Sequence, residues 1–302
     1  MTELLDDLDT SAWDQELTKY QSRNNLLIVD GLNLAFRWKP RGASLDKPND
    51  YAASMVSTIN SLAKSYDARE VIVLSDYKSS VYRKNLHPKY KSDRKKQFEN
   101  QTPEEEKASA DFFAYYRDEV LPLAEKNFRL FQQEGVEADD LACFFVDAFE
   151  DGKEFDHIWL ISTDGDWDEL LSPTVSRFAY SSRKEFTFDN FYEMKGCDTP
   201  EQFTNIKAIM GDPGDSVYGV SGVGIKRAYN LVREYGDVFA LVSALPLEGQ
   251  QLFIKALNES ADSIILNLQL VDLRTFHREA IEEAGKGNIA QLEAAVQEIL
   301  DA

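Results

Sequence analysis

Three short apolar runs, each closed by an aspartate, constrain this chain more than any other feature: LLIVD at 26–30, VIVLSD at 71–76 and IWLISTD at 158–164. Continuous apolar runs of this length, separated by stretches long enough for crossover helices, read as buried strands of a parallel sheet. Apolar periodicity predicts helices at about 51–66 and about 137–150. In open parallel sheets the chemistry sits at the carboxyl ends of the strands, so Asp30, Asp76 and Asp164 share one rim. Each alone would be a helix N-cap or a loop residue. Three in equivalent positions repel one another unless a cation joins them.

More acids follow with suggestive spacing. GVEADD supplies Glu137, Asp139 and Asp140 at a helix start; TDGDWD supplies Asp164 and Asp166; MGDPGD supplies Asp212 and Asp215 in a turn. Acids in a first helical turn also serve as caps, and Asp168 fits that capping role and is left out of the site. The chain has only three His (His87, His157, His277) and two Cys (Cys143, Cys197), all far apart, so zinc fingers and disulfide frameworks lack their ligands. Any metal is expected to be hard and held by oxygen. Cys143, within LACFFV, reads as a buried small residue on a helix.

Charge refines the picture. With 33 Lys+Arg against 53 Asp+Glu in 302 residues, the formal net charge is -20, which argues against coating nucleic acid through overall charge. Yet residues 77–96 hold eight Lys or Arg and one Asp, with Tyr77, Tyr82 and Tyr90 interleaved. Basic groups track phosphates and aromatics stack on unpaired bases, so this is the composition of a single-strand guide, or else of a solvated basic loop. Such a segment repels itself and is expected to order on binding. Further on, EQFTNIKAIMGD and KRAYNLVREY read as two helices around a turn containing Gly219, Gly222 and Gly224. Backbone amides there, with Lys226 and Arg227, could receive a phosphate. An ordinary helix hairpin is the plainer alternative. Residues 237–302 look helical and acidic and carry no chemical motif.

The acidic start has no basic-then-apolar leader, and the longest wholly apolar run, LACFFV at 141–146, is too short to span a bilayer. A soluble, cytoplasmic protein is expected.

Taken in order, IVDGLNLAFR, the basic segment with Tyr90 and Lys91, GVEADD, WLISTDGDWD, KAIMGDPGD and GVSGVGIKR resemble the flap endonuclease and 5'-nuclease family over about residues 23–272. The resemblance is strongest to the stand-alone bacteriophage 5'-nucleases related to the 5'-nuclease domain of bacterial DNA polymerase I. It implies an α/β fold, a mostly parallel sheet flanked by helices, with a helical arch and a helix-three-turn-helix. The corresponding division is an acidic tail at 1–22, a nuclease core at 23–200 with an arch at 77–133, and a helical region at 201–302. The implied activity is divalent-metal-dependent cleavage of DNA phosphodiesters near single-strand/duplex junctions, as 5'-3' exonuclease and flap endonuclease. Such an enzyme removes flaps or RNA primers in replication or repair and leaves 5'-phosphate products, acting in the host cytoplasm if phage-encoded.

The resemblance further implies Mg2+, with Mn2+ as a substitute, in two regions: Asp30, Asp76, Glu137, Asp139 and Asp140 around one, and Asp164, Asp166, Asp212 and Asp215 around the other. It makes Lys91 an active-site lysine, and Asp164, Asp166 and Asp212 the acids most directly catalytic. DNA contacts are expected from Arg37, Tyr82, Arg83, Tyr90, Lys91, Arg94, Lys207, Gly222, Gly224, Lys226 and Arg227, with K+ as a candidate ion at the helix-three-turn-helix. Expected partners are branched or 5'-flapped DNA, RNA-DNA primers, and a replication polymerase or single-strand-binding protein. The chain is expected to be a monomer without membrane contact. Pro213, between the acids of MGDPGD, departs from the pattern and stiffens the approach to Asp215.

Rival readings are weaker. DGLNLAF lacks the GxGxxG of a dinucleotide fold. A haloacid-dehalogenase-like phosphatase could use Asp164 as nucleophile and Asp166 as acid/base, but leaves the basic segment and the glycine-rich hairpin without roles. A DNA-binding protein with a decayed nuclease site does not need all nine acids.

Overall fold

The computed structural model describes residues 24–41, 45, 50–93, 101–151 and 153–302. The tail at 1–22 and Arg94 lie outside the described residues. The apolar runs form β1 (Asn25–Asp30), β2 (Ala68–Leu74) and β4 (His157–Ile161), joined in one sheet by β3 (Arg129–Phe131), β5 (Val175–Ala179) and β6 (Lys184–Phe186). Strand order is β3-β2-β1-β4-β5-β6, parallel throughout except for the β5/β6 pair. β1 lies at the centre, with Ile28 opposite Ile72 on one side and Leu160 on the other. Every residue of β1 is buried, which is why it reads as an unbroken apolar run rather than an alternating one.

Successive side chains of β1 serve opposite layers. Leu26 and Ile28 pack with α4 (Ala138–Phe149) through Leu141, Phe144 and Phe145. Leu27 and Val29 pack with α1 (Ala52–Ser65), through Met55 and Ile59, and with Phe112 of α3 (Pro103–Tyr115). The two crossover helices expected from periodicity thus fall within about two residues of their predicted ends. Cys143 is fully buried in α4, as expected.

A second apolar cluster joins α5 (Pro200–Met210), α6 (Ile225–Tyr235) and α7 (Ala261–Val271), followed by α8 (Leu273–Ala284). α5 and α6 are the two helices of the predicted hairpin. A side chain at Gly219 would meet the Met210 carbonyl carbon and oxygen at 2.0 Å, so the return of the chain against α5 requires a residue without a Cβ.

The segment 77–133 departs from a free-standing arch at both flanks. Val81–Leu86, α2, buries Tyr82 and Arg83, while Tyr116, Val120 and Leu121 pack into the layer that covers Leu27 and Val29. The described part of the basic stretch is therefore already ordered by protein contacts. No helix among the described residues is long and apolar enough to cross a membrane.

Candidate active site

The parallel sheet delivers its acids to one edge. Asp30 ends β1, where its carboxylate accepts hydrogen bonds from the Asn33 amide (3.0 Å) and the Ser162 hydroxyl (3.0 Å). Asp76 follows β2 by two residues and accepts from the Ala138 amide at 2.6 Å, tying that strand end to the first turn of α4. Asp164 follows β4 by three residues and accepts from the Asp166 amide at 3.0 Å. Asp139 accepts from the Trp167 indole at 2.6 Å.

Electrostatics links these groups. Burial, with Asp76 and Asp164 nearby, pushes the Asp30 carboxyl up to about 8. Burial together with Glu137 raises Asp76, and burial together with Asp164 raises Asp139 well above the usual carboxylate range. Asp164 and Asp212 are raised by burial and by Asp166. Carboxyls that cling to protons because they are desolvated and face like charges are sites for a cation. Their donors are all oxygen, which suits a hard divalent ion. A tighter cluster exists at Cys143, Asp147 and His277, with donor atoms within 4.8 Å of one another; the rim acids form no cluster this tight, as expected of mutually repelling groups. Arg274 already pairs with Asp147 at 2.6 Å, so that cluster carries its own cation.

Basic groups complete the edge. Lys91 lies 2.7 Å from Glu137 and 3.7 Å from Asp215, on backbone in the left-handed region (φ 55°) that points its side chain inward. Burial pushes Glu137 up, but Lys91 and then Arg83 outweigh it and hold its carboxyl below the usual range. Tyr90 donates its hydroxyl to Glu137 (3.0 Å) or Asp215 (2.8 Å), and so stands between the sheet edge and the Pro213–Asp215 turn. Asp212 accepts from the Gly214 amide (3.1 Å) in that turn, so Pro213 starts a tight turn that keeps both acids at the edge.

Several expected roles change. Asp140 is fully buried with both oxygens held by Arg83 (2.7 and 2.8 Å), so it stands behind the other acids and Arg83 points inward to it rather than to the surface. Tyr82 stacks on Phe276 inside the protein, and buried Tyr90 is committed to carboxylates rather than to bases. Lys207 is also buried, with its ammonium among Asp166 (2.9 Å), Glu169 (3.2 Å) and Asp212 (3.6 Å). Burial pushes Asp166 up, but Lys207 prevails and lowers it. By contrast Arg37, Gly222, Gly224, Lys226 and Arg227 are exposed, Arg37 over the Tyr180 ring (4.6 Å) and Arg227 over Phe253 (4.5 Å). Asp168 lies in the first turn of the 3-10 helix Asp166–Leu170, as expected, and also forms a buried pair with Arg177, braced by Lys195 at 2.6 Å.

Sequence reasoning missed Ser162, Trp167 and Glu169. Glu169 had a signal: it lies three residues after Asp166, and in a 3-10 turn such residues eclipse one another.

Acids of oxygen-only donor type at the carboxyl edge of a parallel sheet, flanked by an inward lysine, define a divalent-metal-dependent hydrolase of phosphate esters. Two family models match: the N-terminal resolvase-like domain of 5'-3' exonuclease at residues 25–196 and its C-terminal SAM fold at 198–284. The chain belongs to the 5'-3' exonuclease family and is a structure-specific 5'-nuclease. It is 44% identical over 288 residues to the flap endonuclease of Escherichia phage T5, covering 95% of this chain and 97% of that protein. It is 28% identical over 248 residues to a 5'-3' exonuclease of Bacillus subtilis, 76% of this chain and 77% of that one. A crystal structure of the phage T5 flap endonuclease in a pseudo-enzyme-product complex with DNA and metal ions superposes with a TM-score of 0.87 at 44% identity, covering 92% of this chain and all (100%) of that one. The T5 protein co-crystallised with metal ions gives 0.85 at 45% identity over 91% and 99%.

Proposed function

We propose that this nuclease cuts 5'-flapped or branched DNA, including RNA-DNA primers, beside the single-strand/duplex junction, using two regions of bound Mg2+ or Mn2+. The observation that carries this reading is the raised carboxyl set, Asp30, Asp76, Asp139, Asp164 and Asp212, gathered at one edge. Asp30, Asp76, Glu137 and Asp139 would hold one region, and Asp164, Asp166, Asp212 and Asp215 the other. Bound there, divalent ions supply a nucleophile from water and neutralise charge on the phosphate.

The chain's own groups do the rest. Lys91, already at the edge beside Glu137, would offer its ammonium to the scissile phosphate. Tyr90 keeps Glu137 and Asp215 oriented. The exposed turn from Gly222 to Arg227, opening α6, suits duplex phosphates, with K+ as a candidate ion, because helix-start amides and two cations face outward together. In this division of labour residues 23–200 supply most of the cutting acids, while 201–302 add Asp212 and Asp215 and hold the duplex. A replication polymerase or single-strand-binding protein fits as partner, the enzyme acting as a monomer in the cytoplasm.

Cleavage of a 5'-flap substrate by Asp164→Asn tests the proposal. Cleavage is expected to vanish while duplex binding persists; retained activity refutes the metal assignment.

A further inference from the structure

We propose that Glu169 is a positioning residue that retains Lys207, so that Asp166 and Asp212 can turn their oxygens to a divalent cation; this rests on the metal-dependent reading above. One ammonium is shared by three carboxylates here, but they are not equivalent. The side chains of Asp166 and Asp212 are 28% and 23% exposed and face the opening, whereas Glu169 and Lys207, at 1% and 6%, lie behind them. Glu169 is therefore too deep to touch substrate, yet it is fixed at both oxygens. One accepts from Lys207 (3.2 Å) and the other from the Leu273 amide (3.3 Å) at the start of α8, where helix-end amides favour negative charge.

The consequence concerns competition. A divalent ion arriving at Asp166 and Asp212 takes from Lys207 two of its three counter-charges. A buried ammonium left without a partner is costly, so Lys207 would resist the metal unless a counter-ion remained. Glu169 is that counter-ion. Being three residues from Asp166 in a 3-10 helix, it approaches the same ammonium from the adjacent turn.

Mn2+ binding to the full chain without DNA, measured by calorimetry beside a thermal melt of each variant, tests this. Glu169→Gln and Glu169→Asp are each expected to weaken Mn2+ binding about tenfold, the scale of one charge contact moderated by its neighbours. Glu169→Asp keeps the charge but withdraws it from Lys207, so an Asp variant that binds Mn2+ as the wild type does overturns the proposal. In a Lys207→Met background, adding Glu169→Gln is expected to change affinity less than about twofold, because the partner through which Glu169 acts is gone. An undiminished loss there makes Glu169 a direct charge on the metal and overturns the positioning role; if Lys207→Met does not fold, the Asp variant decides. Mn2+ uptake that survives Asp164→Asn unchanged refutes the metal reading itself, and the role of Glu169 with it.

Discussion

Replacing Asp30 by Asn separates what the acidic edge does for function from what it does to stability. The carboxyl is pushed up to about 8 in the fold from an ordinary 3.8. Between those values the folded chain keeps a proton that the unfolded chain has released, so the stability of the metal-free protein falls as pH rises from about 4 to about 8. At about pH 7.5 the ceiling is roughly 1.36 × 3.7, or about 5 kcal/mol. Relaxation and water entry lower it to about 2–3 kcal/mol, which at about 2–4 °C per kcal/mol is about 5–10 °C in melting temperature. Asparagine keeps the shape and can still accept from the Asn33 amide, while Ser162 can reverse its hydroxyl to receive the new N–H. Melts in EDTA are therefore expected to put Asp30→Asn above the wild type by about this margin near pH 8 and level with it near pH 4. Excess Mg2+ is expected to raise the wild type more than the variant, which keeps the second metal region but loses one acid of the first. A variant that melts lower at both pH values, or a gap independent of pH, refutes the reasoning.

Other outcomes follow from the geometry. Lys91→Ala is expected to slow single-turnover cleavage by about 10²–10³ with little loss of DNA affinity, as removal of one charge-stabilising donor does. Arg83→Met leaves Asp140 buried and unpaired, and urea titration is expected to register a loss of about 3–5 kcal/mol, most of it recovered when Asp140→Leu is added. Lys226→Ala with Arg227→Ala is expected to weaken duplex binding and shallow its dependence on salt by about two phosphate contacts; an unchanged slope removes that turn from the interface.

What the sequence disclosed and what it concealed have separate physical causes. The sheet was legible because β1 is buried throughout and β2 and β4 are buried towards their carboxyl ends, so each shows a short apolar run there. The acids on the rim were legible because strand ends and helix starts are punctuated by short motifs. What stayed hidden is where long side chains go. Arg83, Tyr90 and Lys207 have the composition of a DNA-facing set, yet each turns inward to a carboxylate contributed from elsewhere in the chain: Asp140, Glu137 or Asp215, and Asp166. A basic residue on a single sequence gives no indication of which distant acid it will meet, and nothing in GVEADD tells that Asp140 is the acid paired with Arg83. Glu169 escaped for the opposite reason: its spacing is informative only if the DWDEL stretch is known to be 3-10 rather than α.

Tyr90 divides one hydroxyl between an acid from the first matched region and an acid from the second. A chain cut near residue 197 would lose Asp212, Asp215 and Lys207 at once, leaving Asp166 and Glu169 without Lys207 and Tyr90 without Asp215. Neither piece would be a weaker nuclease; each would be none. The two regions must therefore be inherited, trimmed or transplanted together, and a chimera that swaps one of them between relatives has to carry Tyr90's neighbours across the seam.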